Sequence, residues 1–104
     1  MGSHLKAFDS LNEAVKVLAS SSDELQCRLM VACRDYLVPL EMKDLSAGLY
    51  PKFQILRSDL YLNDEKYQDL LLNMDDTEAA NLAKAICDFQ IQVCEEYFKP
   101  GSFF

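Results

Sequence analysis

The segment of residues 76–98 constrains the fold more than any other part of this 104-residue chain. With successive residues placed about 100° apart, as in a helix, its polar side chains share one narrow arc of about a quarter-turn. They are Thr77, Asn81, Lys84, Asp88, Gln92 and Glu95. Nearly all of the remaining surface is apolar, so this helix must be covered on two or three sides. The sequence therefore predicts a central helix, covered by the rest of a bundle or by a second subunit.

Four other segments show the same periodicity. Glycine and proline occur three times each and fall at the edges of these segments, a pattern typical of helices joined by short loops. The predicted helices span residues 5–19, 22–37, 48–62, 64–74 and 76–98. We therefore expect an all-α fold, a compact four- to five-helix bundle forming a single domain over residues 5–99. Residues 1–4 resemble an expression-vector scar, and residues 100–104 would form a C-terminal tail.

Local signals predict where the helices begin and end. Ser21 and Glu24 have the spacing of a capping box at the start of the second helix, and Pro39 should end that helix. Asn63 is the predicted N-cap of the short fourth helix. Asp75 and Glu78 are predicted to form an acidic capping arrangement at the start of the last helix, where the helix dipole stabilises negative charge.

The segment of residues 39–48 has no clear periodicity and is predicted to be an irregular connector. Leu40, Met42 and Leu45 are its expected anchors in the core. On the short fourth helix, Leu70 is among the residues expected to point inward, together with Tyr67, Leu71 and Met74.

The net charge of −7 is unevenly divided along the chain. Residues 1–58 carry seven acidic and seven basic side chains, whereas residues 59–104 carry ten acidic and three basic ones. Seven of the acids fall between residues 59 and 78: Asp59, Asp64, Glu65, Asp69, Asp75, Asp76 and Glu78. Such a face could steer a basic protein partner, including a nucleic-acid-binding surface that the carboxylates would occlude. The alternative is a solvated face that provides solubility.

The sequence gives little support for catalysis or for a bound metal or cofactor. His4 is the one histidine and lies in the apparent vector scar, so the common neutral-pH base and zinc ligand is missing from the remainder. No Glu-x-x-His, EF-hand, P-loop, dinucleotide or G-x-S-x-G motif occurs. The four cysteines have no zinc-binding spacing and are expected to be reduced, buried thiols; they are Cys27, Cys33, Cys87 and Cys94. We expect neither metal nor cofactor.

Two further features allow an interaction or a packing interpretation. A second apolar ridge on the second and third helices could be an interface or could contact another helix of the bundle. Its residues are Cys27, Met30, Val31, Arg34, Ile55 and Leu62.

Gln90 is a predicted buried polar residue, which interrupts the apolar surface of the last helix on the side opposite its polar arc. It could set register across an interface or bond to a neighbouring helix.

These observations favour a non-catalytic interaction module over an enzyme. We expect it to act by homodimerisation or by docking on a protein partner, as small inhibitor, immunity and antitoxin-like proteins do. The alternative is a small carboxylate-using enzyme or ligand-binding bundle, with Tyr36, Tyr61, Tyr67 or Tyr97 lining its pocket. The lack of a basic stripe argues against direct nucleic-acid or anionic-lipid binding. With no membrane-spanning apolar run and no leader sequence, the expected location is the cytoplasm.

Overall fold

The computed structural model describes residues 3–20 and 22–97, and it confirms the all-α, single-domain bundle. Within these residues there are five α-helices and no strand. The helices are α1 (Ser3–Ser20), α2 (Leu25–Ala32), α3 (Tyr50–Asp59), α4 (Tyr67–Leu72) and α5 (Asp76–Tyr97). One π-helical turn, Cys33–Leu37, continues α2, and one 3₁₀ turn, Met42–Asp44, lies in the connector before α3. Phe98, the predicted last residue of α5, lies outside the described residues.

The predicted central position of α5 is confirmed, because it packs against α1, α2 and α3. Its buried face includes Phe89, whose ring stacks on Phe53 of α3 with 5.6 Å between centroids. The predicted polar arc is exposed, apart from the half-buried Gln92. Ile91 departs from the predicted apolar wrap, since it is 52% exposed beside that arc. The buried residues of α5 lie on one face, which the three helices cover; they are Ala79, Leu82, Ile86, Phe89 and Val93.

Arg28 holds the turn between α1 and α2. Its Nε donates to the Asp23 carbonyl at 2.9 Å, and its Nη1 donates to the Leu18 carbonyl. The last carbonyls of a helix lack partners within the helix, so Arg28 satisfies one at the end of α1. The predicted capping box is wrong, because Glu24 is itself the N-cap and makes no side-chain cap bond. Ser21 lies outside the described residues.

The connector is irregular, as predicted, but its inward-facing residues differ from the prediction. Leu40 and Leu45 are buried, whereas Met42 is 65% exposed. The 3₁₀ turn instead directs Asp44 into the protein. Asp44 Oδ2 accepts a hydrogen bond from the Glu41 amide at 2.9 Å and lies 3.4 Å from Lys6 Nζ. In the connector, Asp44 therefore points inward, whereas the sequence pattern predicted that Met42 would do so.

A Schellman motif, the paired hydrogen bonds that close many helix C-termini, ends α3. The Leu62 amide donates to the Arg57 carbonyl at 2.9 Å, and the Tyr61 amide donates to the Ser58 carbonyl at 3.1 Å. Tyr61 occupies the position that glycine usually takes, with a left-handed φ of 61°. Leu62 is buried directly after it. The motif turns the chain sharply towards α4.

Helix α4 is shorter than predicted and differs in one orientation. It begins at Tyr67, and its N-cap is Lys66 and not Asn63. Leu71 is buried against the core, but Leu70 is 39% exposed. With only six residues, α4 buries a narrow face, and Leu70 lies at its edge.

The four cysteines are free thiols, as expected, but only Cys33 is fully buried. Burial raises the pKa of the Cys33 thiol to about 12. Burial also raises the pKa of Cys87 and of Cys94, and in each case a neighbouring carboxylate adds to the effect. Cys33 therefore behaves as a small apolar core residue.

Among the described helices, none combines the length and hydropathy needed to cross a bilayer.

Candidate interaction surface

The seven predicted acids occupy the end of α3, the turn that follows, α4 and the start of α5, over residues 59–78, here termed the acidic surface. Six of them are exposed and Glu78 is half-buried. Lys66 is the one basic residue in this stretch of sequence. The exposed carboxylates therefore leave a strongly negative segment accessible to a partner.

Three of the six exposed acids are held by hydrogen bonds within the fold. Asp75 Oδ1 accepts from the Glu78 amide at 2.7 Å and caps α5, as the sequence predicted. Asp64 Oδ1 accepts from the Lys66 amide at 2.8 Å and stabilises the turn before α4. Asp76 Oδ1 accepts from Gln26 Nε2 at 2.8 Å. These carboxylates have structural roles whatever the surface binds.

The remaining exposed acids have no such role among the described residues. The side chains of Asp59, Glu65 and Asp69 accept no hydrogen bond and form no ion pair there. Lys66 forms no ion pair with them either. Their charges are therefore not neutralised by contacts within the described protein.

Gln26 is a buried polar residue that sequence analysis missed. Its amide donates to the Met74 carbonyl at 3.0 Å as well as to Asp76, so it joins α2 to the start of α5. The available signal was helical spacing, because Gln26 shares a face with Met30 and Cys33, which are both buried. This contact positions the α5 end of the acidic surface on the bundle.

Tyr61 and Glu78 connect the two ends of the acidic surface. The Tyr61 hydroxyl donates to Glu78 Oε2 at 2.7 Å. This hydrogen bond, together with the Glu78 charge, raises the pKa of Tyr61, and partial burial and Asp59 add smaller effects. The contact also restrains a residue whose left-handed backbone is unfavourable for a side chain of its size.

We predict that Glu78→Gln lowers the pKa of Tyr61 towards its ordinary value of about 10. In the wild type, Tyr61 has a higher pKa in the folded protein than in the unfolded chain. The stability that this difference provides is complete below the unfolded-state pKa of Tyr61, and it is lost as the pH rises through the folded-state pKa. Glu78→Gln should therefore lose less free energy of unfolding than the wild type as the pH rises through this alkaline range. Absorbance titration of tyrosinate, compared with Tyr61→Phe to isolate this tyrosine, measures the change. Glu65→Gln is the matched control, and equal titration curves for the two glutamate variants would contradict the assignment.

Gln90 is half-buried, and its amide bonds within the chain. Its Nε2 donates to Asn12 Oδ1 of α1 at 2.7 Å and lies 3.3 Å from Cys94 Sγ. The contact joins α1 to α5, so it corresponds to the alternative in which Gln90 bonds to a neighbouring helix and not to the one in which it sets register across an interface. The residue is less buried than predicted.

The predicted apolar ridge is not a continuous exposed surface. Met30 and Leu62 are buried in the core, and Cys27 and Val31 are half-buried on α2, which packs against α1, α4 and α5. Arg34 is exposed and pairs with the adjacent Asp35 at 2.9 Å. Ile55 alone of the apolar ridge residues is largely exposed, at 64%. These positions fit the alternative in which the ridge contacts other helices of the bundle, because α4 covers part of α2.

Among the described residues, no group of three or more histidine, cysteine or acidic side chains has the geometry to hold a metal ion. Comparisons with known proteins add no functional information. No protein family, curated protein or solved structure matches this chain. The acidic surface must therefore be interpreted from its own chemistry.

Proposed function

We propose that this protein is a non-catalytic interaction module that docks on a basic region of a protein partner through its acidic surface. The observation that carries the proposal is the set of exposed acids with no partner in the described fold: Asp59, Glu65 and Asp69. Unpaired carboxylates on one continuous segment attract a positively charged surface over several ångströms and increase its association rate. Inhibition of that partner, by occupying its basic surface, is the corresponding mode of action.

The exposed apolar side chains of α4 also support docking. Leu70 and Leu72 are 39% and 42% exposed, respectively, within the acidic surface. Apolar contacts provide affinity that charge alone does not, because exposed ion pairs contribute little once they are screened by salt. A partner that contacts α4 beside Leu70 would bury that leucine while meeting the carboxylate of Asp69, which lines the same pocket.

The test neutralises acids that have no structural bond. The triple variant Asp59→Asn, Glu65→Gln and Asp69→Asn should weaken binding to the partner captured from the native host, with most of the loss in the association rate at low salt. The matched control removes three exposed acids elsewhere: Asp9→Asn, Glu95→Gln and Glu96→Gln. Surface plasmon resonance on the purified partner measures both. Equal weakening by the two triple variants, or no weakening at low salt, would overturn the proposal.

Homodimerisation is a separate proposal, and Ile55 is the one residue of the apolar ridge that is both apolar and largely exposed. The side chains that could support it are the exposed Ile55 and Ile91. Light scattering of the wild type over a range of concentrations tests it directly. A monomer throughout would remove this alternative and leave docking on a different protein.

A further inference from the structure

We infer that a pocket within the acidic surface receives a single arginine or lysine side chain of the partner, an inference that rests on the proposed function. The pocket lies between the turn after α3, α4 and the first turn of α5, and its volume is about 340 Å³. Small-molecule sites span about 300–1,000 Å³, so this pocket is at the lower limit and suits one side chain. We name it the Leu70 pocket, after the exposed leucine in its wall.

The walls of the Leu70 pocket are complementary to a basic side chain, with apolar residues for its methylene stem and carboxylates for its charged head group. Leu70 and the half-buried Met74 form an apolar wall against which a methylene stem can pack. The lining also includes the carboxylates of Asp69 and Glu78, which attract the charged head group. Tyr61 is also in the lining, and aromatic rings attract cations.

The hydrogen bonds leave these carboxylates able to bind a cation. The Tyr61 hydroxyl donates to Glu78 Oε2 and so fixes the orientation of that carboxylate, while Glu78 Oε1 accepts no hydrogen bond from the described residues. The Asp69 carboxylate is likewise unpaired there. Lys66 also lines the pocket but forms no ion pair with either acid. Charge complementarity therefore favours a cation with an apolar stem over a neutral or acidic occupant.

The test titrates isotope-labelled full-length protein with the tripeptide acetyl-Gly-Arg-Gly-amide and follows backbone amide signals by NMR. A tripeptide with citrulline in place of arginine removes the charge at nearly constant shape. The arginine peptide should cause saturable shifts centred on Tyr61, Leu70 and Glu78, and the citrulline peptide should bind more weakly. Asp69→Asn should weaken arginine-peptide binding by about two- to fivefold, the range expected for one exposed ion pair.

Matched variants separate the pocket from the general negative charge. Glu65→Gln removes the same charge from the acidic surface outside the pocket lining and should leave binding nearly unchanged, whereas Leu70→Ser should weaken it. Amide spectra of each variant verify that the fold is retained. Equal binding of the citrulline peptide, equal effects of Asp69→Asn and Glu65→Gln, or shifts that never saturate would overturn the inference.

Partner binding and peptide binding report separately on the acidic surface and on the Leu70 pocket. If the triple variant loses its partner but Asp69→Asn is no weaker than Glu65→Gln in the peptide titration, docking stands and the Leu70 pocket does not. If partner binding is independent of the acidic surface, the proposed function fails, and with it the role of the pocket in docking.

Discussion

Replacement of Phe53 by alanine is expected to lower the free energy of unfolding by about 3–5 kcal/mol, the range for removing a buried aromatic ring. Phe53 is 1% exposed and its ring stacks on Phe89, so truncation leaves a cavity between α3 and the central helix. The Arg57 guanidinium lies 5.7 Å from the ring centroid and loses that contact as well. Small domains have total stabilities of about 5–15 kcal/mol, so the variant should lose between a fifth and nearly all of its stability. Urea unfolding followed by circular dichroism measures the loss.

Ile55→Ala on the same helix is the control for that prediction. Ile55 is 64% exposed, so its replacement should change the free energy of unfolding by no more than about 0.5 kcal/mol. The comparison also tests the ridge, because a stable dimer through Ile55 would make this variant destabilising in a concentration-dependent way. Similar losses for both variants would contradict the packing of α3 described above.

The fold was predictable from sequence because each helix must bury one face, and that requirement is visible as periodicity. On α3 and at its end, the buried residues Phe53, Leu56 and Leu60 recur at intervals of three and four positions, which is the helical period. Helix ends were less predictable where long-range contacts determine them. At the turn after α1, Arg28 satisfies the Leu18 carbonyl from ten positions further along the chain, a contact that no local capping pattern encodes.

The candidate site was predictable in composition and not in geometry. Counting charges located the acids of residues 59–78, but their individual roles depend on tertiary contacts. Asp76 bonds Gln26, and Glu78 bonds Tyr61, across separations of 50 and 17 residues. The exposure of Leu70 likewise depends on how α4 sits on α2. Sequence periodicity therefore identified a charged segment, whereas the Leu70 pocket emerged only from packing.

Asp44→Ala is expected to lower the free energy of unfolding by about 1–3 kcal/mol, because a buried polar network loses its acceptor. Asp44 is 2% exposed, and its Oδ2 both accepts from the Glu41 amide and pairs with Lys6. The alanine side chain leaves the Glu41 amide without this acceptor and frees the connector from α1. Chemical unfolding measures the change, and Asp9→Ala on the exposed face of α1 is the control, with an expected change within about 0.5 kcal/mol.

A double-mutant cycle divides the Asp44 effect between its two contacts. Lys6 is about half exposed, so solvent screens the ion pair and the coupling between Lys6→Met and Asp44→Ala should be about 1 kcal/mol or less. Most of the loss in Asp44→Ala should then persist when Lys6 is already methionine, because the bond to the Glu41 amide is the larger contribution. A coupling energy that accounted for the whole Asp44→Ala effect would instead make the ion pair the main link between α1 and the connector.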